Sequence, residues 1–545
     1  MDEIYLLPHP GKDGRLRRFV FLFLCLMPFA FGALALFLGQ DANWDLRNYH
    51  WYNAYAFLSG RYGFDLLPSQ TPYFYNPLLD VPFYLLATHV SARVAGFILG
   101  SIQGLNFVLL FMLSFASLKI TPPQYKVIAC ALLAALGMLG GGGIAQIGTT
   151  FYDNVTSLGL FISALLVLWL HPTLMNARVQ HALIIALVCG LPAGLMMGLK
   201  LPSVVFCIGL CFALLFVPGP HVRRLFICIA FGIGVLAGTM MTLGYWMWYL
   251  QTHFGSPLFP YFNDYFKSPL APLTSARDTQ FLSGGIDRLI FPYIFAKYPM
   301  RVGEIAWRDW RIPILYTLLP LAFLLRLIFS FMKRRTETFA TPFAARYLLW
   351  VGILSYIVWL WMFSIYRYAL PLEMLTPLLI VMAIDLLPVK IKSRAILAVV
   401  LLLIIAASVQ PGNWHRRTSW LDHFVEVKVP SLSDTSNLMI LMAGYEPYGH
   451  VIPAFPPDIP FVRIESNFTG PHENKGINQI IRDRVEAHHG RFMMLIPPDQ
   501  KNIAEDALSY FKLALAPQAC QTVKDRLYDD TELALCNVVH KSRDQ

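Results

Sequence analysis

Eleven apolar runs, each long enough to cross a lipid bilayer, restrict this chain more than any single motif does. They lie at 19–38, 94–118, 126–141, 154–171, 182–199, 201–218, 224–248, 312–332, 346–366, 369–388 and 395–410. A hydrocarbon layer of about 30 Å needs about 20 helical residues to span it. Inside it every backbone N–H and C=O must find a partner within the segment, so runs of this kind are helices. Only 14% of the 545 residues are charged and 56% are apolar, against about 25% charged in a soluble domain. Disorder, collagen-like repeats and disulfide scaffolds are excluded on the same composition. The expected fold is a polytopic α-helical membrane protein of about eleven transmembrane helices.

The charge is unevenly spread. Residues 411–545 hold 14 Lys/Arg and 17 Asp/Glu, while the preceding 410 residues hold 29 and 16. The first region has a soluble composition and the second a membrane composition. Two domains are therefore expected: 1–410 in the membrane, and 411–545 as a small α/β domain. The net charge of +10 reads as loop charge and not as the clustered basic face that nucleic acid requires.

Orientation follows from where the cations sit. Arg15, Arg17 and Arg18 precede the first run, and no small-residue cleavage site follows it. That run is expected to remain as a span, with its N-terminal flank cytoplasmic. Alternate turns carry Lys119 and Lys126, Arg178, Arg223 and Arg224, Lys333 to Arg335, and Lys390 to Arg394. With an odd number of spans the 411–545 domain falls on the far side, the periplasmic face of an inner membrane. Two long far-side loops, about 39–93 and 249–311, are rich in Tyr, Trp, Phe and Pro. Short interfacial helices are expected in the first, where 48–61 has an amphipathic pattern. Within the tail, strands are expected at 438–442, 491–496 and 533–539, with helices at 477–488 and 502–515. Cys520 and Cys536 are expected to pair in an oxidising compartment. Two buried free thiols are the alternative.

Ionisable side chains near membrane depth are costly and mark candidate sites. Asp41 and Asp45 follow the first span within Gln40-Asp-Ala-Asn-Trp-Asp-Leu-Arg-Asn-Tyr-His50. Asp45 and Tyr49 share a helical face, and Arg47 and His50 add further polar groups. Each acid alone suits a helix start. The density of polar and aromatic groups argues for more. Asp153 opens a later span as either N-cap or site carboxylate. Lys200 either snorkels to headgroups or binds phosphate as a point charge. Arg367 and Tyr368 open a late span, and the Arg367 fork suits a lipid phosphate. Glu373 lies deeper. Asn76 and Asp80 belong to a turn-rich loop. P-loop, dinucleotide, HExxH, CxxC and nucleophile-elbow motifs are all missing.

The ordered set Asp45-x-x-x-Tyr49, Tyr152-Asp153-x-x and Arg367-Tyr368-x-x-Pro371 resembles the GT-C superfamily of integral-membrane glycosyltransferases. Segments 194–200 and 255–261 resemble stretches of bacterial members. The likeness covers about the first 400 residues. It implies transfer of a sugar from a polyprenyl-phosphate donor to a lipid, glycan or protein acceptor in the cell envelope. In that chemistry the acceptor attacks the anomeric carbon and the lipid phosphate leaves with inversion. The resemblance implies Asp45, or Asp41, as base, with Asp153 as a further catalytic carboxylate. Arg47, Tyr49, His50, Asn76, Asp80, Lys200, Arg367, Tyr368 and Glu373 would be substrate contacts. One departure is that Leu46 stands where many members have a second acid. Some members need a divalent cation and others do not. Asp45 and Asp153 would hold Mg²⁺ or Mn²⁺ if one is used. A transporter or flippase, a polysaccharide polymerase or ligase, and a non-catalytic scaffold are the alternatives.

Overall fold

A computed structural model describes residues 6–9, 13–274, 278–331, 337–432, 434–473, 476–528 and 531–541. The basic turn Lys333-Arg334-Arg335 lies outside the described residues. The chain divides into two compact units. A helical unit comprises Met1–Phe37, Phe97–Gly244 and Asp278–Trp414, and a sheet unit comprises Leu38–Gly96, Tyr245–Arg277 and His415–Gln545.

Among the described residues, nine helices are long and apolar enough to cross a membrane. They are Gly14–Leu38, Ala92–Ser117, Asp153–Asn176, Val179–Leu199, His221–Phe254, Arg311–Phe329, Pro342–Met362, Tyr366–Asp385 and Ile391–Ser408. The other two expected spans are shorter apolar helices, Pro123–Met138 and Leu201–Ala213. Proline marks the break before the second of these. Pro202 follows Lys200 and Leu201, and the backbone turns extended at Lys200 before the helix restarts.

Within the helical unit, the helix Leu370–Asp385 is buried along its whole length. It packs against the helices that begin at Pro123, Asp153, Arg311, Pro342 and Ile391. Glycines set the approach of two other spans. Cβ atoms at Gly190, Gly194 and Gly198 would fall 2.2, 2.0 and 2.1 Å from Phe231 O, Val235 O and the Thr242 hydroxyl. Spacing of small residues by four lets helix backbones touch in a medium that supplies no hydrophobic drive.

The sheet unit is built around a seven-stranded mixed sheet. Its order is Val427–Lys428, Gln521–Asp525, Thr531–His540, Arg491–Ile496, Leu438–Met442, Phe461–Arg463, with Leu513–Leu515 also pairing on Thr531–His540. The last three strands of that order run parallel, with Ile440 opposite both Met493 and Phe461. Strand Thr531–His540 lies antiparallel to Arg491–Ile496, Gln521–Asp525 and Leu513–Leu515. Helices Gly476–Glu486 and Lys501–Tyr510 complete the tail. The helix expected at 502–515 therefore ends at Tyr510, and its last residues form an edge strand. Three short strands escape sequence reading because Phe461–Arg463, Gln521–Asp525 and Val427–Lys428 each carry charge. Cys520 and Cys536 form a disulfide with a Cα separation of 4.2 Å.

The tail does not form this unit alone. Arg61 Nε and Nη2 donate to the two Asp65 oxygens at 2.6 and 2.8 Å. The same guanidinium reaches Pro457 O and Ile459 O, and Asp65 Oδ1 accepts the Phe461 N–H at 2.8 Å. Leu66 then pairs with the Phe461–Arg463 strand. A buried, doubly bonded ion pair thus closes a sheet edge that would otherwise expose unpaired backbone. The short helices Trp51–Leu58 and Val81–His89 occupy the first loop segment.

Candidate functional site

The expected site residues fall into two groups, one in each unit. In the helical unit, three segments remote in sequence meet at the turn Phe151-Tyr152-Asp153. Lys200 Nζ donates to Phe151 O and to Asp153 Oδ1, both at 2.6 Å. The Arg367 guanidinium lies 4.4 Å from the Phe151 ring centroid, and the Tyr368 ring lies 5.6 Å from Lys200 Nζ. Trp414 meets the Phe151 ring edge-on at 5.4 Å, and its indole N–H reaches Glu304 at 3.3 Å. Glu304 is in turn 3.9 Å from Arg367.

The turn itself is strained and clamped. Tyr152 is held at φ +62°, a left-handed conformation that costs a bulky residue of order 1 kcal/mol or more. Two amides from the span Ala92–Ser117 hold the loop. Gln103 donates to Thr149 O at 2.9 Å and accepts from Gly148 N at 2.6 Å, and Asn106 donates to Asn154 O at 2.5 Å. Sequence reasoning missed both. Their signal was available, as two amides one turn apart in an otherwise apolar run. The arrangement leaves buried polar atoms over. Asp153 Oδ2 and both polar atoms of the Asn154 side chain are buried without a hydrogen-bond partner among the described residues. Native interiors contain few such atoms, and each calls for an explanation.

Glu373 binds backbone N–H groups of a glycine run. It is fully buried, and its two oxygens accept the N–H groups of Gly142 and Gly143 at 3.1 and 2.7 Å. Asp309, also buried, accepts Gly141 N at 2.9 Å and holds Arg311 Nε at 2.9 Å. Arg311 reaches on to Leu136 O and Glu373 O. The glycine run Gly140–Gly143 is needed because a Cβ at Gly140 would sit 2.0 Å from Glu373 Oε1. Glu373, Asp309 and Arg311 together anchor a helix start.

In the sheet unit, Asp45 precedes a π-helical turn, Leu46–His50. Such turns are rare and concentrate at functional sites. Tyr49 donates to Asp45 Oδ2 at 3.2 Å, the i,i+4 pair expected from sequence. His50 Nδ1 lies 2.6 Å from Asp80 Oδ1 with both side chains buried. Tyr49 meets Tyr75 edge-on at 5.2 Å, and Tyr75 shares a 2.8 Å hydrogen bond with Tyr261. Asp41 is otherwise engaged. It is fully buried, both oxygens accept from the Asn43 amide, and Arg416 is its electrostatic partner. Burial pushes the Arg416 guanidinium down to about 10 while Asp41 opposes that shift. Between the two candidate bases, Asp45 is thus the better placed. Asn76 caps a short turn by accepting Leu78 N at 3.1 Å.

Arg47 is buried under Tyr528, whose ring centroid is 3.5 Å from its guanidinium carbon. Burial lowers its pKa, against the charges of Tyr528, Asp525 and Glu446. His450 bonds Arg47 O at 2.9 Å and Asp525 at 2.8 Å. These contacts support the π-helical turn from behind, which makes Arg47 a positioning residue.

The donor set does not fit a divalent cation. Among the described residues no group of three His, Cys, Asp or Glu is assembled, and Asp153 Oδ1 is already held by Lys200. A hard cation needs several oxygen ligands. No protein-family model, curated protein or solved structure matches the chain.

Proposed function

We propose that this multi-pass membrane protein is an inverting glycosyltransferase that moves a sugar from a polyprenyl-phosphate donor to an envelope acceptor. The supporting observation is the Phe151–Asp153 turn, where two cations accompany Asp153 Oδ2 and the Asn154 amide, buried without a partner among the described residues. Lys200 and Arg367 stabilise negative charge as it grows on the departing lipid phosphate. Fixed cations in a water-poor site contribute about 10²–10³ in rate. Asp153 Oδ2 and the Asn154 amide bind hydroxyl groups. Asp45, hydrogen-bonded by Tyr49, is the carboxylate of the sheet unit that the resemblance makes the base for the acceptor proton. The periplasmic face and the inner membrane belong to the same proposal.

The test replaces Lys200→Met, Arg367→Met and Asp45→Asn singly, at matched protein levels in native membranes. Mass spectrometry follows lipid-linked saccharides and envelope glycans. The expected result is a glycan lacking one sugar together with accumulated polyprenyl-phosphate sugar. Unchanged glycans in all three variants, against a clear defect on deletion of the gene, would refute the reading.

A further inference from the structure

The sheet unit carries a crevice of about 410 Å³ lined by Tyr445, Glu465, Gly470, His472, Glu473, Asn502, Ile503 and Asp506. Its position follows from the topology. Tyr445 comes three residues after strand Leu438–Met442, and Glu465 two residues after Phe461–Arg463. Asn502, Ile503 and Asp506 lie on the helix that follows Arg491–Ile496. All three strands are parallel, so the lining comes from their carboxyl ends. From the central strand the chain first adds a neighbour on one side and then crosses to the other. In open α/β sheets such a switch point, outside the carboxyl ends, is where ligands bind.

The rim is fixed in place. Gly444 has φ +105°, and a Cβ there would meet Gln500 Oε1 at 2.1 Å. Gln500 Oε1 accepts Tyr445 N at 2.8 Å, and the Gln70 amide donates to Tyr445 O at 3.1 Å. The backbone of Tyr445 is thus pinned from two sides while the residue stays 44% exposed.

The lining chemistry selects the ligand. Three carboxylates repel phosphates and carboxylates. The loop after Leu438–Met442 reads Ala443-Gly444-Tyr445-Glu446-Pro447, without the glycine-rich turn into a helix that cradles a nucleotide. Carboxylates, an amide and an imidazole accept hydrogen bonds from hydroxyl groups. A rigid Tyr ring offers a flat amphipathic face. The volume matches a small-molecule site.

We propose that this crevice binds a saccharide without negative charge, neutral or amino-substituted, stacked on Tyr445 and hydrogen-bonded by Glu465, Glu473, Asn502 and Asp506. The site stands apart from the transferase reading, because its test measures binding and not turnover. Calorimetry on the full chain in detergent would titrate maltotriose, a glucosamine trimer, a glucuronate trimer and Mg²⁺ alone. Saturable binding of maltotriose or the glucosamine trimer is expected, with none for the glucuronate trimer. Tyr445→Ala and Asp506→Asn should each weaken it at least tenfold. The Asp506 side chain is 74% exposed, so neither change opens the core. No saturable saccharide binding, binding unaffected by both substitutions, or a response to Mg²⁺ alone would overturn the proposal.

Discussion

Replacing Glu373 tests whether a buried carboxylate in the middle of the helical unit is structural. Glu373→Ala leaves the Gly142 and Gly143 N–H groups buried without acceptors. Hydrogen bonds to a charged acceptor contribute about 1.5–3 kcal/mol each, so the loss should be about 3–6 kcal/mol. Glu373→Gln keeps one accepting oxygen and turns an NH₂ toward the second donor, so it should lose about half as much. A cycle with Gly140→Ala sharpens the test. Alone, the new methyl collides with Glu373 Oε1 at 2.0 Å. In the Glu373→Ala background that collision is gone, so the two changes should be sub-additive by about 1 kcal/mol or more. Equilibrium unfolding in mixed detergent micelles, followed by tryptophan fluorescence, reads the parent and the four variants. Stability of Glu373→Ala within about 0.5 kcal/mol of the parent, or strict additivity, would refute the anchoring role. Retained stability with lost transfer would make Glu373 a substrate contact.

Two further predictions concern the sheet unit. Burial raises the pKa of Asp525, but the charge and hydrogen bond of His450, the Leu527 N–H and the Arg47 charge outweigh it, and the net shift is downward. A depressed carboxylate contributes stability that is complete above its unfolded pKa of about 3.9 and is lost as pH falls through the lower folded value. Asp525→Asn should therefore flatten the acid limb of a stability–pH curve below about pH 4, and an unchanged limb would dismiss the residue's role. Reducing the Cys520–Cys536 bridge, which spans 16 residues, should cost about 3 kcal/mol, measured as a lower guanidinium midpoint in reductant.

Local physics was legible in the sequence and long-range pairing was not. Apolar runs announced the helices because burial in lipid leaves the backbone no other choice. The Asp45–Tyr49 pair followed from helical spacing, and the Lys200 break from Pro202. The Asp153–Lys200 contact joins positions 47 apart, so each residue could be singled out but their meeting could not. The partners of Glu373 were out of reach for the same reason, because its backbone N–H donors on the glycine run lie 230 and 231 residues away. Arg311 and Asp309 went unnoticed because they sit at the mouth of a span, where charge is ordinary. The share of 39–96 and 245–277 in the sheet unit could not be read, because it depends on polar contacts to strands that come much later in the chain.

That dependence has a consequence for biosynthesis. The carboxylate of Asp65 and the amide of Phe461 are 396 residues apart. At about 5–20 residues per second, a ribosome delivers the second on the order of 20–80 s after the first. Throughout that interval the segment that carries Arg61 and Asp65 waits without the sheet edge it is shaped to close. The sheet unit is completed only once strands as late as Thr531–His540 have been made, so until then the nascent chain carries an unpaired segment that a holding chaperone would recognise. A ribosome stalled before Phe461 leaves a protein with most of its membrane spans and no partner for its first loop.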